Sequence, residues 1–417
     1  MMRLCKSSNS DDWRLIPALL ILPMLASTFA DASDSFDYRG HIKYQSNITR
    51  YPDDSLFIES AADPAVDQGL DLRFNISTGA GNWQLQTDYQ LLAINRESPS
   101  ATPINDDRRL MRLTDTISED SATAIYQRLD RLQFNLLSPQ TVLKIGRQAV
   151  SWGNGLIYNP MDFLNPFDPT AIDREYKTGD DMLYAQYLFD NGGDVQAVWV
   201  LRRDDQGDVD NSVASLALKY HWFFNNEEID LLIAEHFDRR LLGVGVTSSL
   251  GGSVWRGDLL GSETDSSSAL SAIVNLSYSW LALGKNVSAM VELHRNGFGI
   301  DDGDYSPVRL AANPELTSRL SRGELFTLGK HYLGFAGTVE LTALWLLSPN
   351  LFVNLDDDSH LLQLVSSHDL QQNLKMTLAA SFPGGTRGSE FSGIDSGTAG
   401  KTLSIDQSYF LQLAWYF

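Results

Sequence analysis

The chain has 417 residues, 32 Lys and Arg against 53 Asp and Glu, a net charge of −21 and a single cysteine. An acid surplus of this size excludes nucleic acid as a partner, because phosphate binding needs a basic footprint. One thiol excludes a disulfide framework and a cysteine-ligated metal.

Arg3, Lys6 and Arg14 precede the apolar run LIPALLILPML (15–25), and small residues follow up to Ala30-Asp31-Ala32. This order predicts a secretory signal peptide over 1–32, cut after Ala30 or Ala32, ahead of a single domain over 33–417. The run is shorter than the ~20 residues that span a bilayer as a helix. Cys5 leaves with it, as do three basic and three acidic residues (Asp11, Asp12, Asp31), so the remainder keeps its charge of −21. Beyond residue 32 no apolar run is long enough for a transmembrane helix, so a membrane location requires a closed barrel.

Period-two alternation fills the rest. Leu70, Leu72, Phe74 and Ile76 oppose Asp71, Arg73 and Asn75, and Trp83, Leu85 and Tyr89 oppose Gln84, Gln86 and Asp88. Further on, Leu270, Val274, Leu276 and Tyr278 oppose Ser271 and Asn275, while Val291 and Leu293 oppose Glu292 and His294. The last residues, SIDQSYFLQLAWYF, put Ile405, Tyr409, Leu411, Leu413, Trp415 and Phe417 in one phase. Such alternation makes strands with one apolar face. A soluble β-sandwich alternates too. Three features favour an all-β, transmembrane antiparallel barrel: strand-like runs of mostly ten or more residues, connections that alternate tight and long, and aromatics near strand ends.

Strands are expected near 36–48, 68–79, 82–94, 124–137, 140–150, 181–190, 193–203, 211–222, 227–237, 239–249, 252–261, 268–280, 286–297, 330–342, 345–355, 359–368, 373–383 and 403–417. That is about eighteen, an even number as such barrels require. Tight turns such as Gly79-Ala80-Gly81 and Asn191-Gly192-Gly193 then share the periplasmic side, and the long segments 49–67, 95–123, 151–180, 298–329 and 384–402 lie outside. At this width side chains cannot fill the lumen, and an aqueous interior is expected. The inward phase (Asp71, Arg73, Gln86, Asp88, Arg131, Asn275, Glu292, Asn354) is mostly polar.

One stretch breaks the alternation: GRQAVSWGNGLIYNPMDFLNPFDPTAIDREY, Gly146 to Tyr176, with Pro160, Pro166 and Pro169 and a repeated Asn-Pro-x-Asp. Asn-Pro pairs start turns, and prolines lower the entropy a loop loses when it docks. It follows the fifth expected strand, so it reads as a third outer loop folded inward to constrict the pore. Arg147, Trp152, Tyr158, Asp162, Asp168, Asp173 and Arg174 from this stretch, with Arg131 and Glu292 from the wall, are the candidate constriction and lining residues. Arg147 either meets the solute or pins a loop carboxylate such as Asp162 or Asp173. Trp152 and Tyr158 offer either a track for sugar rings or packing against the wall.

The segment GRQAVSWGNGLIYNP resembles the G-R-Q-x-x-x-W-G segment of porin-like bacterial outer-membrane barrels, and Gly146-Arg147-Gln148 is distantly similar to alginate-export barrels. The resemblance implies an eighteen-stranded channel with arginine near the narrow part of the lumen. The final strand, ending on Phe417, resembles those that the barrel assembly machinery reads in outer-membrane proteins.

The seven histidines show no HxxxH, and no GxSxG occurs; His294 beside Glu292 is the only hydrolytic candidate. Acidic clusters such as Asp356-Asp357-Asp358 read as solvated tips or as sites bridging lipopolysaccharide through divalent cations. The expected protein is therefore no enzyme and carries no cofactor. It is a mildly cation-selective diffusion channel for small hydrophilic solutes in a Gram-negative outer membrane, in contact with its lipids and lipopolysaccharide. The alternatives are a loop-plugged barrel serving as a surface scaffold or export partner, and a polysaccharide-export barrel.

Overall fold

The computed structural model describes residues 35–99, 104–265 and 267–417. The expected signal peptide and Cys5 lie outside the described residues. Eighteen antiparallel strands form the wall: β1 Ser35–Arg50, β2 Ala65–Ala80, β3 Trp83–Asn95, β4 Thr123–Leu137, β5 Thr141–Gln148, β6 Asp180–Leu188, β7 Asp194–Val200, β8 Ser215–Phe224, β9 Glu227–His236, β10 Arg239–Leu250, β11 Ser253–Glu263, β12 Ser268–Ala282, β13 Lys285–Arg295, β14 His331–Thr342, β15 Trp345–Asn354, β16 His360–Gln371, β17 Leu374–Gly384 and β18 Gln407–Tyr416. Each pairs with the next, and β1 pairs with β18 from His41↔Tyr416 to Arg50↔Gln407. The sheet is closed.

Closure removes both edges, and the alternation sorts the two faces. On β12, Leu270 and Val274 are about half exposed, whereas Ser271, Ile273 and Asn275 are buried. Repeated around the ring, this leaves an outward apolar band of the kind that faces lipid. Trp83, Trp222, Trp255, Trp280, Trp345 and Trp415 all sit near the end that carries the short turns. Several are paired there, Trp83 on Phe134 at 4.7 Å and Trp222 on Tyr220 at 5.1 Å. At that end Gly251-Gly252 and Leu283-Gly284 turn with positive φ at both residues, which matches the right-handed twist of the hairpin strands.

Several short elements sit in segments that the sequence marks only as loop. A side strand, Thr114–Glu119, pairs with the loop-end half of β4 (Thr114↔Arg128, Glu119↔Ala124). It stands where β5 is missing, because β5, β6 and β7 have only 8, 9 and 7 residues. Helices α1 (Pro307–Ala311) and α2 (Pro314–Ser321) lie between β13 and β14, and Ile394–Asp395 pairs with Thr402–Leu403 between β17 and β18. All are too short for their periodicity to register. The cap of α2 is visible in retrospect: Asn313 accepts from Leu316 N at 3.3 Å, with Pro314 at the first turn.

Two local irregularities position the interior. The β3–β4 ladder shifts register at Asp88/Tyr89, so consecutive residues Asp130 and Arg131 are both largely buried. A bulge re-aims a side chain in this way. At Gly146 the φ is +123°, and a Cβ there would meet Leu132 O at 2.1 Å. We expect Gly146→Ala to destabilise the barrel by about 1–3 kcal/mol, the usual cost of a strained backbone site. A urea midpoint for the heat-modifiable form that matches wild type would contradict this.

Candidate functional site

Segment 149–179 joins β5 to β6, and its bonds reach strands on opposite sides of the ring. At one side it meets a row of acids. Asp230 on β9, Asp258 on β11 and Glu292 on β13 are buried, and Asp230 and Asp258 both stand opposite Gly245 of β10 in register. Asn154 N and Nδ2 each donate to the Asp258 carboxylate at 2.7 Å. Three successive backbone N–H groups converge on Glu292: Leu156 N at 2.8 Å, Ile157 N at 3.2 Å and Tyr158 N at 2.6 Å. Asn275 Nδ2 completes the cradle, donating to Glu292 at 3.0 Å and to Asn154 O at 3.1 Å. Glu292 is 0 % exposed, and among the described residues neither it nor Asp258 forms an ion pair. A buried carboxylate without a cation must be satisfied by donors, and here the loop backbone supplies them.

At the other side stand cations: Lys43 on β1, Arg73 on β2, Arg128 and Arg131 on β4, and Arg147 on β5. Lys43 Nζ holds Asp173 and Glu175, both at 2.7 Å. Asp173 also accepts from Gln45 at 3.3 Å and from Gln412 of β18 at 2.7 Å. The Tyr176 ring covers the Arg73 guanidinium at 3.9 Å. Behind it Arg73 pairs with Asp130 at 2.9 Å, and Arg131 pairs with Asp130 at 3.0 Å. In an eighteen-strand ring β2 and β11 are nine strands apart, so the segment reaches from one half of the ring to the other.

Between these anchors lies an apolar core. Trp152, Met161, Phe163 and Leu164 pack on Met182 and Tyr184 of β6, Val198 and Val200 of β7, Leu232 of β9, Leu241 of β10 and Leu260 of β11. Each such side chain contributes about 1.5–3 kcal/mol. The expected mostly polar inward phase holds over most of the ring and gives way here. On β6–β11 the buried phase is apolar at this level because it faces protein. Three strand glycines make the room. A Cβ at Gly245 would meet Asn154 Nδ2 at 2.5 Å, one at Gly243 would meet Met161 Cε at 3.2 Å, and one at Gly334 would meet Ile157 Cδ1 at 2.5 Å.

The remaining candidates have definite places. Arg147 is 1 % exposed. Its partners are Asp181 at 2.8 Å and Asp106 at 2.9 Å, not the loop carboxylates Asp162 or Asp173. Asp168 accepts from Thr170 N and Oγ1 and closes a local turn. Arg174 donates to the carbonyls of Ala171 and Pro169 within its own segment. Trp152 Nε1 donates to Gln196 of β7 at 2.7 Å. Tyr158 stacks on His294 at 4.7 Å and 13°. Arg131 also donates to Lys177 O. The His294 ring touches Tyr158 and Tyr332, and its Nδ1 lies 3.3 Å from Ala272 O. Among the described residues no three His, Cys, Asp or Glu come together to hold a metal ion.

Sequence reasoning missed Lys43, Asp258, Asn154, Tyr176 and Asp106. Lys43 and Asp258 lie in the inward phase of their strands. Gly243, Gly245 and Gly334 inside strand patterns were the available signal, since such a glycine marks close approach by another backbone or group.

The loop acids feel these surroundings. Burial pulls the Asp173 carboxyl up, but Lys43 outweighs it and holds it below the usual carboxylate range. Burial raises Asp162 to about 6, against the opposing pull of Lys177, whose Nζ is 2.5 Å away. Glu390, between β17 and β18, is raised to about 7 by burial, although Tyr332 Oη, Leu328 N and Asn354 Nδ2 all donate to it.

Comparison with known proteins bears on the fold. No protein-family model and no curated protein matches the chain. Among solved structures, Acinetobacter baumannii OccAB4 is similar at TM-score 0.55 and 7% identity, over 92% of this chain and 98% of that one. Pseudomonas aeruginosa OpdK, an outer-membrane protein, is similar at 0.52 and 11%, over 91% and 99%. Escherichia coli Wzi, described as a carbohydrate-binding β-barrel involved in group 1 capsule assembly, is similar at 0.51 and 12%, over 95% and 87%. The chain has the closed barrel fold of outer-membrane porins.

Two outcomes follow. Glu292→Gln keeps the shape of the cradle but removes its charge, and hydrogen bonds to a charged group are worth about 1.5–3 kcal/mol. Hydrogen exchange at 154–158 should therefore speed up tenfold or more, with the barrel still heat-modifiable; unchanged protection would refute the cradle. For Glu390, the folded state keeps a proton that the unfolded chain has already released between its ordinary 4.5 and about 7. Its contribution is present in acid and declines as pH rises through that window. Glu390→Gln should flatten that part of the urea-midpoint-against-pH curve.

Proposed function

We propose that the chain is an outer-membrane channel for passive diffusion of small hydrophilic solutes, and that segment 149–179 folds into the lumen and sets its opening. One observation carries this reading: the segment is bonded at once to the acidic side of the ring through Asp258 and Glu292 and to the basic side through Lys43 and Arg73. A bridge between opposite sides of a barrel crosses the path that a solute would take. The outward apolar band and the porin-like fold support a Gram-negative outer membrane as its place, with lipid and lipopolysaccharide around it and the assembly machinery as the reader of the Phe417 strand. Over the whole chain carboxylates outnumber cations, 53 against 32, and such a surplus favours mild cation selectivity where a narrow lumen focuses the field.

Arg147 serves this function as a brace of the rim rather than as a solute contact, since Asp106 and Asp181 occupy it. Glu292 and His294 lie on one strand face, but Glu292 is committed to the loop backbone, which favours a channel over a hydrolase.

The buried core of Met161, Phe163 and Leu164 favours a second reading, a barrel sealed by its own loop and used as a surface scaffold or as a partner in polysaccharide export. The likeness to Wzi, a carbohydrate-binding barrel by its description, is compatible with it. Planar-bilayer recording separates the two. The channel reading expects discrete steps with a cation-favouring reversal potential, and several-fold larger steps after deletion of 152–176. Silent bilayers from heat-modifiable wild-type barrel, opened only by that deletion, would establish the sealed form instead.

A further inference from the structure

A cleft separates segment 149–179 from the α1–α2 segment, and the bonds that hold the loop do not use it. Tyr158, Pro160 and Phe167 line it from one segment, Phe298 and Phe326 from the other, and His294 of β13 lines it as well. Its volume is about 60 Å³. At ~10–15 Å³ per water, that is room for a handful of waters, and less than half of the ~150 Å³ that encloses benzene, so a ring enters only by one edge.

The lining carries charge that is already spent. Arg319 and Glu324 reach the cleft but pair with each other at 3.1 Å, and Glu324 also holds Arg322 and His236. His294 is different. It is 7 % exposed, its Nδ1 faces Ala272 O, and its Nε2 has no partner among the described residues. Donation from Nδ1 to that carbonyl fixes the tautomer and leaves Nε2 as an acceptor. The face-to-face stack with Tyr158 at 4.7 Å keeps the imidazole from turning to a new partner.

We propose that this cleft admits the hydroxyl-bearing edge of one uncharged ring, which donates that hydroxyl to His294 Nε2 and rests its apolar flank on the aromatic and proline rings. A carboxylate would be desolvated there with no free cation to meet it. Phenols and monosaccharides share the required chemistry. The site deepens the channel reading by giving the mouth a solute class, yet binding to it needs no conduction.

The test is saturation-transfer NMR and calorimetry on the full barrel refolded in detergent, with phenol, methyl α-glucoside and benzoate as probes. Saturable binding of a neutral probe is expected, with benzoate at least tenfold weaker. Phenol binding alone assigns the phenolic source, and glucoside binding alone assigns the sugar. His294→Phe keeps a ring for Tyr158 but removes the acceptor, and should weaken the bound probe about tenfold, the effect of one hydrogen bond. Phe326→Ala, at the exposed rim, should weaken it as well and stands in if His294→Phe does not fold. No saturable neutral probe, equal binding of benzoate, or unchanged affinity in the variant that folds overturns the site. Binding without bilayer current would overturn the channel and spare the site, and current without binding would do the reverse.

Discussion

Glu292 is the point on which the interior depends. A carboxylate buried among strands β12–β14 without an ion partner would be costly unless donors surround it. Three consecutive backbone N–H groups can converge on one carboxylate only if residues 156–158 hold a fixed, turned conformation. The prolines that follow narrow the choices open to the chain there. The same bonds that satisfy the acid therefore fix the course of the loop, and that course delivers Met161 and Phe163 to the apolar patch on β6–β11. Asp258 repeats the device two strands away with the N–H and side chain of Asn154.

The far end of the segment uses the opposite chemistry. Lys43 and Arg73 are buried cations, and the loop brings Asp173, Glu175 and the face of Tyr176 to them. Neither anchor would fit the other side, because carboxylates of the loop would repel Glu292. Polarity thus gives the segment a direction as well as a position. Loop and wall are electrostatically matched, with the hydrophobic contact between them supplying most of the burial.

Much of this architecture was legible in sequence. Strict alternation around Asp71–Arg73, Glu292–His294 and Leu411–Phe417 gave the faces, and the alternation of tight and long connections gave the ring of eighteen strands. The segment after β5 stood out because Asn159-Pro160 and Asn165-Pro166 cannot continue a ladder. Its partners were less visible. Lys43, Asp258 and Arg147 meet Asp173, Asn154 and Asp106 at sequence separations that no local pattern records. The side strand 114–119 was hidden because six residues carry too few alternations. The apolar inner patch was misjudged because a lumen was assumed to face water, whereas the glycines at 243, 245 and 334 already marked another part of the chain pressing in.

Asp173 has one more property. Its carboxylate takes Lys43 and Gln45 from the first strand and Gln412 from the last, so it straddles the seam where the ring closes. Those three donors do not share a neighbourhood until β1 and β18 have met. The full set of three bonds therefore exists only in the closed ring. The loop thereby works as a latch across the seam, tying the first strand to the last through one carboxylate.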